Sequence, residues 1–195
     1  MLKDLIERKK AKETFKQIRN SKWLCISCEE THEGLFDLAA FNPDFWNGEK
    51  AYAPNNHVTL DGNFLSEDFC VINGENFFVR CVLDFPIKGF DIQFGFGVWS
   101  SLSKINFKKY LDEFDNGNFE DGIYWSSWFS NRIKGIENIV KQKCWVNPQS
   151  GRKRPLIYFM DDKHPVSLAQ QKGMEPKWLL DIYAANGHSL KTPQT

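Results

Sequence analysis

The stretch "WLCISCEETH", residues 23–32, places Cys25, Cys28 and His32 close together in a chain with only five cysteines and four histidines. Cys-x2-Cys is the usual spacing for two thiolates on one metal knuckle, and a nearby histidine can add an imidazole. A structural zinc ion takes four ligands, so Cys25, Cys28 and His32 need one more donor from elsewhere. The remaining cysteines and histidines are Cys70, Cys81, Cys144, His57, His164 and His188. Two other readings stand beside zinc. The cysteines can be small buried hydrophobes with His32 a polar loop residue, or they can form a redox dithiol. The redox reading is the weakest of the three, because Glu29, Glu30 and Glu33 follow the motif and nearby carboxylates disfavour a thiolate.

Other groups are more dispersed. Arg80 sits in the apolar run "FFVRCVL", where an unpaired charge is costly, so Asp68 and Asp84 are its expected partners. Asp161, Asp162 and His164 lie between a strand-like and a helix-like segment, where an N-cap in a solvated turn is the simplest role. "GRKR" at 151–154 reads as a basic loop. The chain contains no HExxH helix, Gly-rich phosphate loop, dinucleotide fingerprint or nucleophile elbow.

These residues need elements to position them. Leu2, Leu5, Ile6, Phe15 and Ile18 fall near helical spacing, giving a basic N-terminal helix within residues 1–22. Residues 33–65 are rich in Pro, Gly and Asn and read as a structured loop packed on a sheet. "FCVIN", "NFFVRCVLDFPI" and "FDIQFGFGVWSSL" form an expected meander, with Asn73-Gly74 as the first turn and Gly95 and Gly97 marking a bulge or a close backbone approach. After Ser103, "KINFKKYLDEFD" places Ile105, Tyr110, Leu111 and Phe114 on one helical face. "IYWSSWFSNRIKGI" is mixed in character. "ENIVKQKCWVNP" and "PLIYFM" read as strands, and two helices begin at Pro165 and Pro176. Strands joined by tight turns imply an α+β fold with a mainly antiparallel sheet and flanking helices, a single domain over 23–195 following the basic helix.

Composition narrows the class of function. Seven Trp and seventeen Phe argue for a folded core rather than disorder. Lys+Arg and Asp+Glu both total 25, so no global field selects nucleic acid or an acidic membrane. The first 22 residues hold eight basic and three acidic side chains, which leaves the rest of the chain with a net charge of −5. No signal-like or membrane-spanning apolar run is visible, so a cytoplasmic protein is expected, where five cysteines are not a disulfide framework.

Taken together, "CISCEETH", "NPDFW", "EDFCVI", "FFVRCVLDFPI", "FGVWSSLSKINF", "SNRIKG", "GRKRPLIYF" and "KHPVSLAQQKGM" resemble the bacterial domain-of-unknown-function 2199 family, in that family's order over about residues 23–180. The resemblance implies a Cys-x-x-Cys-Gly-x-x-His pattern, from which this chain departs by carrying Glu29 at the glycine. It favours Cys70 or His164 as the fourth metal ligand, since both fall in matching stretches. It implies no activity. The expectation is therefore a non-enzymatic protein-binding module with a candidate zinc site, one concrete form being an immunity-type protein that masks a toxin. A protein partner is expected, not a membrane or nucleic acid. The rival is a zinc-dependent or metal-free enzyme with a pocket around Arg80, Asp162 and His164.

Overall fold

A long hairpin buried on both faces over most of its length organises the computed structural model, which describes residues 2–190. The elements run α1 (Leu2–Ile18), β1 (Lys22–Leu24), β2 (Thr31–Glu33), β3 (Leu38–Ala39), a 3-10 turn (Asn55–His57), β4 (Phe64–Leu65), β5 (Phe69–Ile72), β6 (Asn76–Pro86) and β7 (Gln93–Leu102). They continue through α2 (Lys104–Glu113), β8 (Trp125–Trp128), β9 (Lys143–Asn147), β10 (Leu156–Phe159), α3 (Pro165–Lys172) and α4 (Pro176–Ala185). Asn73 and Gly74 both have positive φ, at 57° and 67°, and reverse the chain between β5 and β6.

The α+β class holds, but the main sheet is mixed rather than mainly antiparallel. Its order is β3-β7-β6-β10-β9-β8, with β5 on β6 and β4 on β5. β6 and β7 pair antiparallel without interruption from Phe77↔Leu102 to Pro86↔Gln93. The far edge of β6 is shared: β5 pairs antiparallel with its first residues, and β10 joins it in parallel at Leu156↔Val82. β3 is likewise parallel to β7. Both parallel joins unite segments distant in sequence, so no local turn announces them. The unbroken register also rules out a bulge at Gly95 and Gly97; each serves a close approach instead. A side chain at Gly95 would meet the Asp37 carboxylate at 2.9 Å, and one at Gly97 would meet Ala39 Cβ at 2.9 Å.

The two faces of the sheet are unlike. Phe77, Val79, Cys81, Leu83 and Phe85 of β6 point into the principal core with α2, α3 and α4. The opposite face buries Cys70, Phe78 and Trp99 beneath the 40–52 loop through Ala40, Trp46 and Tyr52. Farther along that face, β8, β9 and β10 are uncovered.

Two helical faces differ from the sequence expectation. α1 buries Ala11, Phe15 and Ile18 but leaves Leu2, Leu5 and Ile6 exposed. α2, capped by the Ser103 hydroxyl, buries Phe107 and Tyr110 while Ile105 is 81% exposed. Among the described residues no helix is long and apolar enough to cross a membrane.

Candidate metal centre

Cys25 follows β1 and is fully buried; its N–H donates to Glu30 O at 2.9 Å, and the Glu29 N–H returns to Cys25 O at 3.0 Å. This knuckle directs the Cys28 N–H at Cys25 Sγ, 3.5 Å away. Glu29 adopts φ 62°, the left-handed conformation for which glycine is suited, so the turn forms despite the substitution. His32 comes from β2, paired opposite Trp23, which donates its Nε1–H to Gly34 O at 2.9 Å.

The fourth group arrives from the other end of the chain. α4 ends in a Schellman turn: the Gly187 N–H donates to Ala184 O and the His188 N–H to Tyr183 O, with Gly187 at φ 89°. That turn aims His188 at the knuckle. One donor atom from each of Cys25, Cys28, His32 and His188 lies within 4.8 Å of every other. Cys28 Sγ is 3.3 Å from His32 Nε2 and 3.9 Å from His188 Nδ1. A tetrahedral zinc ion with Zn–S of about 2.3 Å and Zn–N of about 2.0 Å has ligand–ligand edges of roughly 3.3–3.8 Å. The donor types suit such an ion, while their separations, up to 4.8 Å, are wider than its edges and would close on binding.

The surroundings hold this arrangement. The Ile26 N–H donates to Ser189 O at 2.9 Å, joining the two chain ends directly. Phe36 stacks on His32, with centroids 4.5 Å apart, and meets His188 edge-on at 4.9 Å. Tyr183 fixes Phe36 in turn: its hydroxyl donates to Phe36 O at 2.6 Å and accepts from Phe36 N at 3.1 Å.

The two thiols are unequal. Burial opposes ionisation of Cys25, but hydrogen bonds from the backbone of Cys28, Ser27 and Ser189 and from the Cys28 side chain outweigh it, bringing the thiol down from 9.0 to about 6. For Cys28 a backbone hydrogen bond at Glu30 lowers the value, yet burial and the adjacent Cys25 raise it overall. The acidic residues that argued against a thiolate do not govern Cys25, where backbone and thiol hydrogen bonds prevail, whereas the Glu30 charge does oppose ionisation of Cys28.

Cys70 and His164 lie elsewhere. Cys70 is on β5 in the smaller core, where burial pushes its thiol up to about 12. His164 is the N-cap of α3; its Nδ1 accepts from Val166 N at 3.2 Å, its ring stacks on Phe159, and its buried Nε2 has no partner. Asp162 is exposed in the preceding turn. Arg80 lies on the other face of the sheet, so Arg80, Asp162 and His164 do not converge on one pocket. Neither expected carboxylate pairs with Arg80. Its guanidinium donates to Tyr52 Oη, Glu67 O and Ala40 O at 3.2–3.3 Å and lies over Trp99, while Nε has no partner. Asp68 instead binds Arg154 Nε at 2.7 Å, with Glu67 on the same guanidinium at 2.7 Å.

A family model described as an uncharacterised protein conserved in bacteria (DUF2199) matches residues 24–174. The chain belongs to the DUF2199 family. No curated protein and no solved structure matches it. Three of the four donors of this DUF2199 chain lie inside the matched segment; His188 lies beyond it. The available signal for His188 was "YAANGH" itself, an apolar helix end followed by Asn-Gly and then a histidine.

Proposed function

We propose that this protein is a non-catalytic binding module, held at its chain ends by a structural zinc ion and docking a protein partner through the uncovered face of its sheet. The observation that carries this reading is the closed donor set. Four protein groups, two thiols and two imidazoles, are as many as a structural zinc takes, whereas a catalytic zinc keeps one position for water or substrate. Zinc bound here would supply a cross-link between the β1–β2 hairpin and the turn after α4.

Support for a docking role comes from side chains turned away from the core. Tyr124 is 52% exposed and Trp145 41%; Trp145 pairs with half-buried Tyr158 across β9 and β10, and the ring of Tyr124, just before β8, lies 6.3 Å from that of Tyr158. Large aromatics concentrate at protein interfaces because they bury much area at low conformational cost. The five free thiols, two of them in the metal centre, suit a reducing compartment such as the cytoplasm.

Metal analysis tests the centre. The purified full chain should hold one equivalent of zinc, lost in Cys28→Ser and His188→Ala, and cobalt substitution should give the absorption of a tetrahedral two-thiolate site. A metal-free unmutated protein, under conditions that keep its thiols reduced, would sink the zinc reading. The docking role is tested by cross-linking a copurified partner: Trp145→Ala with Tyr124→Ala should abolish the complex with zinc content unchanged. A complex that survives both changes places docking elsewhere.

A further inference from the structure

A groove of about 430 Å³ opens beside the 40–52 loop; none of the four metal-centre donors lines it, and neither do Tyr124 and Trp145. Phe45, Ile72, Phe78 and Trp128 form its apolar walls, with Asn76 and Lys141 at its margin. That volume and its balance of apolar wall to few polar groups match small-molecule sites in general. Trp128 is 50% exposed and Phe45 44%, so two aromatic walls are open to solvent.

Among the residues that line this groove Lys141 alone is charged, and Lys143 stands beside its Trp128 wall. Lys141 Nζ lies 5.9 Å from the centroid of Phe45, and Lys143 Nζ lies 5.5 Å from that of Trp128. Neither ammonium forms a salt bridge with a described carboxylate. Lys141 is also held in an unfavourable backbone conformation, φ 61°, while its N–H donates to Phe129 O at 2.8 Å. A non-glycine residue kept in this region by its surroundings is a recognised feature of ligand clamps. Here it sets the lysine over one aromatic wall.

We propose that this groove binds a small organic acid, with an apolar body against Phe45, Phe78 and Trp128 and a carboxylate facing Lys141 and Lys143. The apolar walls exclude water from one side of the ion pair, which strengthens it relative to a fully exposed pair. An apolar amine of the same shape would meet two unpaired cations instead.

Matched probes test this on the full chain: 4-phenylbutyrate, its neutral amide and 4-phenylbutylamine, each titrated by tryptophan fluorescence and by amide chemical shifts. The acid should saturate and bind about tenfold more tightly than the amide, with the amine weakest. Lys141→Gln with Lys143→Gln, both at exposed positions, should remove the preference for acid over amide while leaving amide binding in place. Trp128→Ala should weaken acid and amide together. Zinc content should not change in any of these variants. Equal binding of acid and amide, or a preference that survives both lysine changes, overturns the proposal. So does concentration-dependent self-association abolished by Trp128→Ala, which would give the groove to a second copy of the chain.

Discussion

At the scale of single residues, Glu29 bears a measurable strain. A non-glycine residue in the left-handed region costs about 1–2 kcal/mol, and Glu29 sits there at φ 62° between Cys28 and His32. Glu29→Gly should relieve that strain, offset in part by roughly 0.4–1 kcal/mol from the greater freedom of glycine in the unfolded chain. A net gain of about 0.5–1 kcal/mol in zinc-loaded stability is expected. Glu29→Ala keeps the strain and should show no such gain in chemical denaturation. The thiols also give the metal-free form a pH dependence. Cys25 is depressed from 9.0 to about 6, so its contribution is fully present above pH 9 and is lost as pH falls through about 6. Cys28 is raised, so its effect has the opposite sign and falls above its ordinary value of 9.0. Metal-free stability should therefore rise from pH 6 towards pH 9, and Cys25→Ser should flatten that slope. A slope unchanged in Cys25→Ser would assign the titration to another group.

Elements decide whether those residues meet. Gly187 turns His188 towards the knuckle at φ 89°, and nothing lies within 4 Å of where its side chain would project. Gly187→Ala should therefore act through backbone strain alone, costing about 1–2 kcal/mol and weakening zinc binding severalfold without disturbing the sheet. Loss of zinc affinity with no loss of stability would mean that the turn is not strained as described. Helix α2 offers a second contrast: Phe107→Ala should cost about 3–5 kcal/mol, and Ile105→Ala should stay within about 0.5 kcal/mol. Tyr110, Leu111 and Phe114 pack on the core as their spacing implies, and Ile105 alone of that expected face is turned to solvent. Apolar spacing alone cannot decide between two overlapping stripes, and Phe107 completes the one that faces the sheet. The meander, its Asn73-Gly74 turn and the proline-started helices were legible because local turn and cap chemistry marks them. The parallel β3–β7 and β6–β10 joins were not, because they depend on contacts between distant segments. Cys25, Cys28 and His32 were legible as a short local motif. His188, 160 residues from Cys28, could be placed only by the packing of α4.

For the whole molecule, the Cys25–Cys28–His32–His188 cluster joins the β1–β2 hairpin to the turn after α4, outside the principal core. Cys25 packs with Ile18 and Trp23 in a small apolar cluster of its own, whereas β6 and β7 pack with α2, α3 and α4 in the main one. A clip that closes a long segment of chain is favoured in principle because it removes much freedom from the unfolded state. Its removal should nevertheless be felt locally first, since the main core retains its buried aromatics. Chelation of zinc should thus lower the melting temperature while leaving a cooperative transition. Hydrogen exchange should accelerate at Cys25, Ile26, Glu29 and His188, whose N–H groups hold the knuckle and the turn, and at Phe36, pinned by Tyr183. Protection along β6 and β7 should be unchanged, because their ten-pair ladder shares no donor with the metal centre. If β6 and β7 lost protection together with the knuckle, the zinc would be holding the entire fold, and the division between clamp and core would fail.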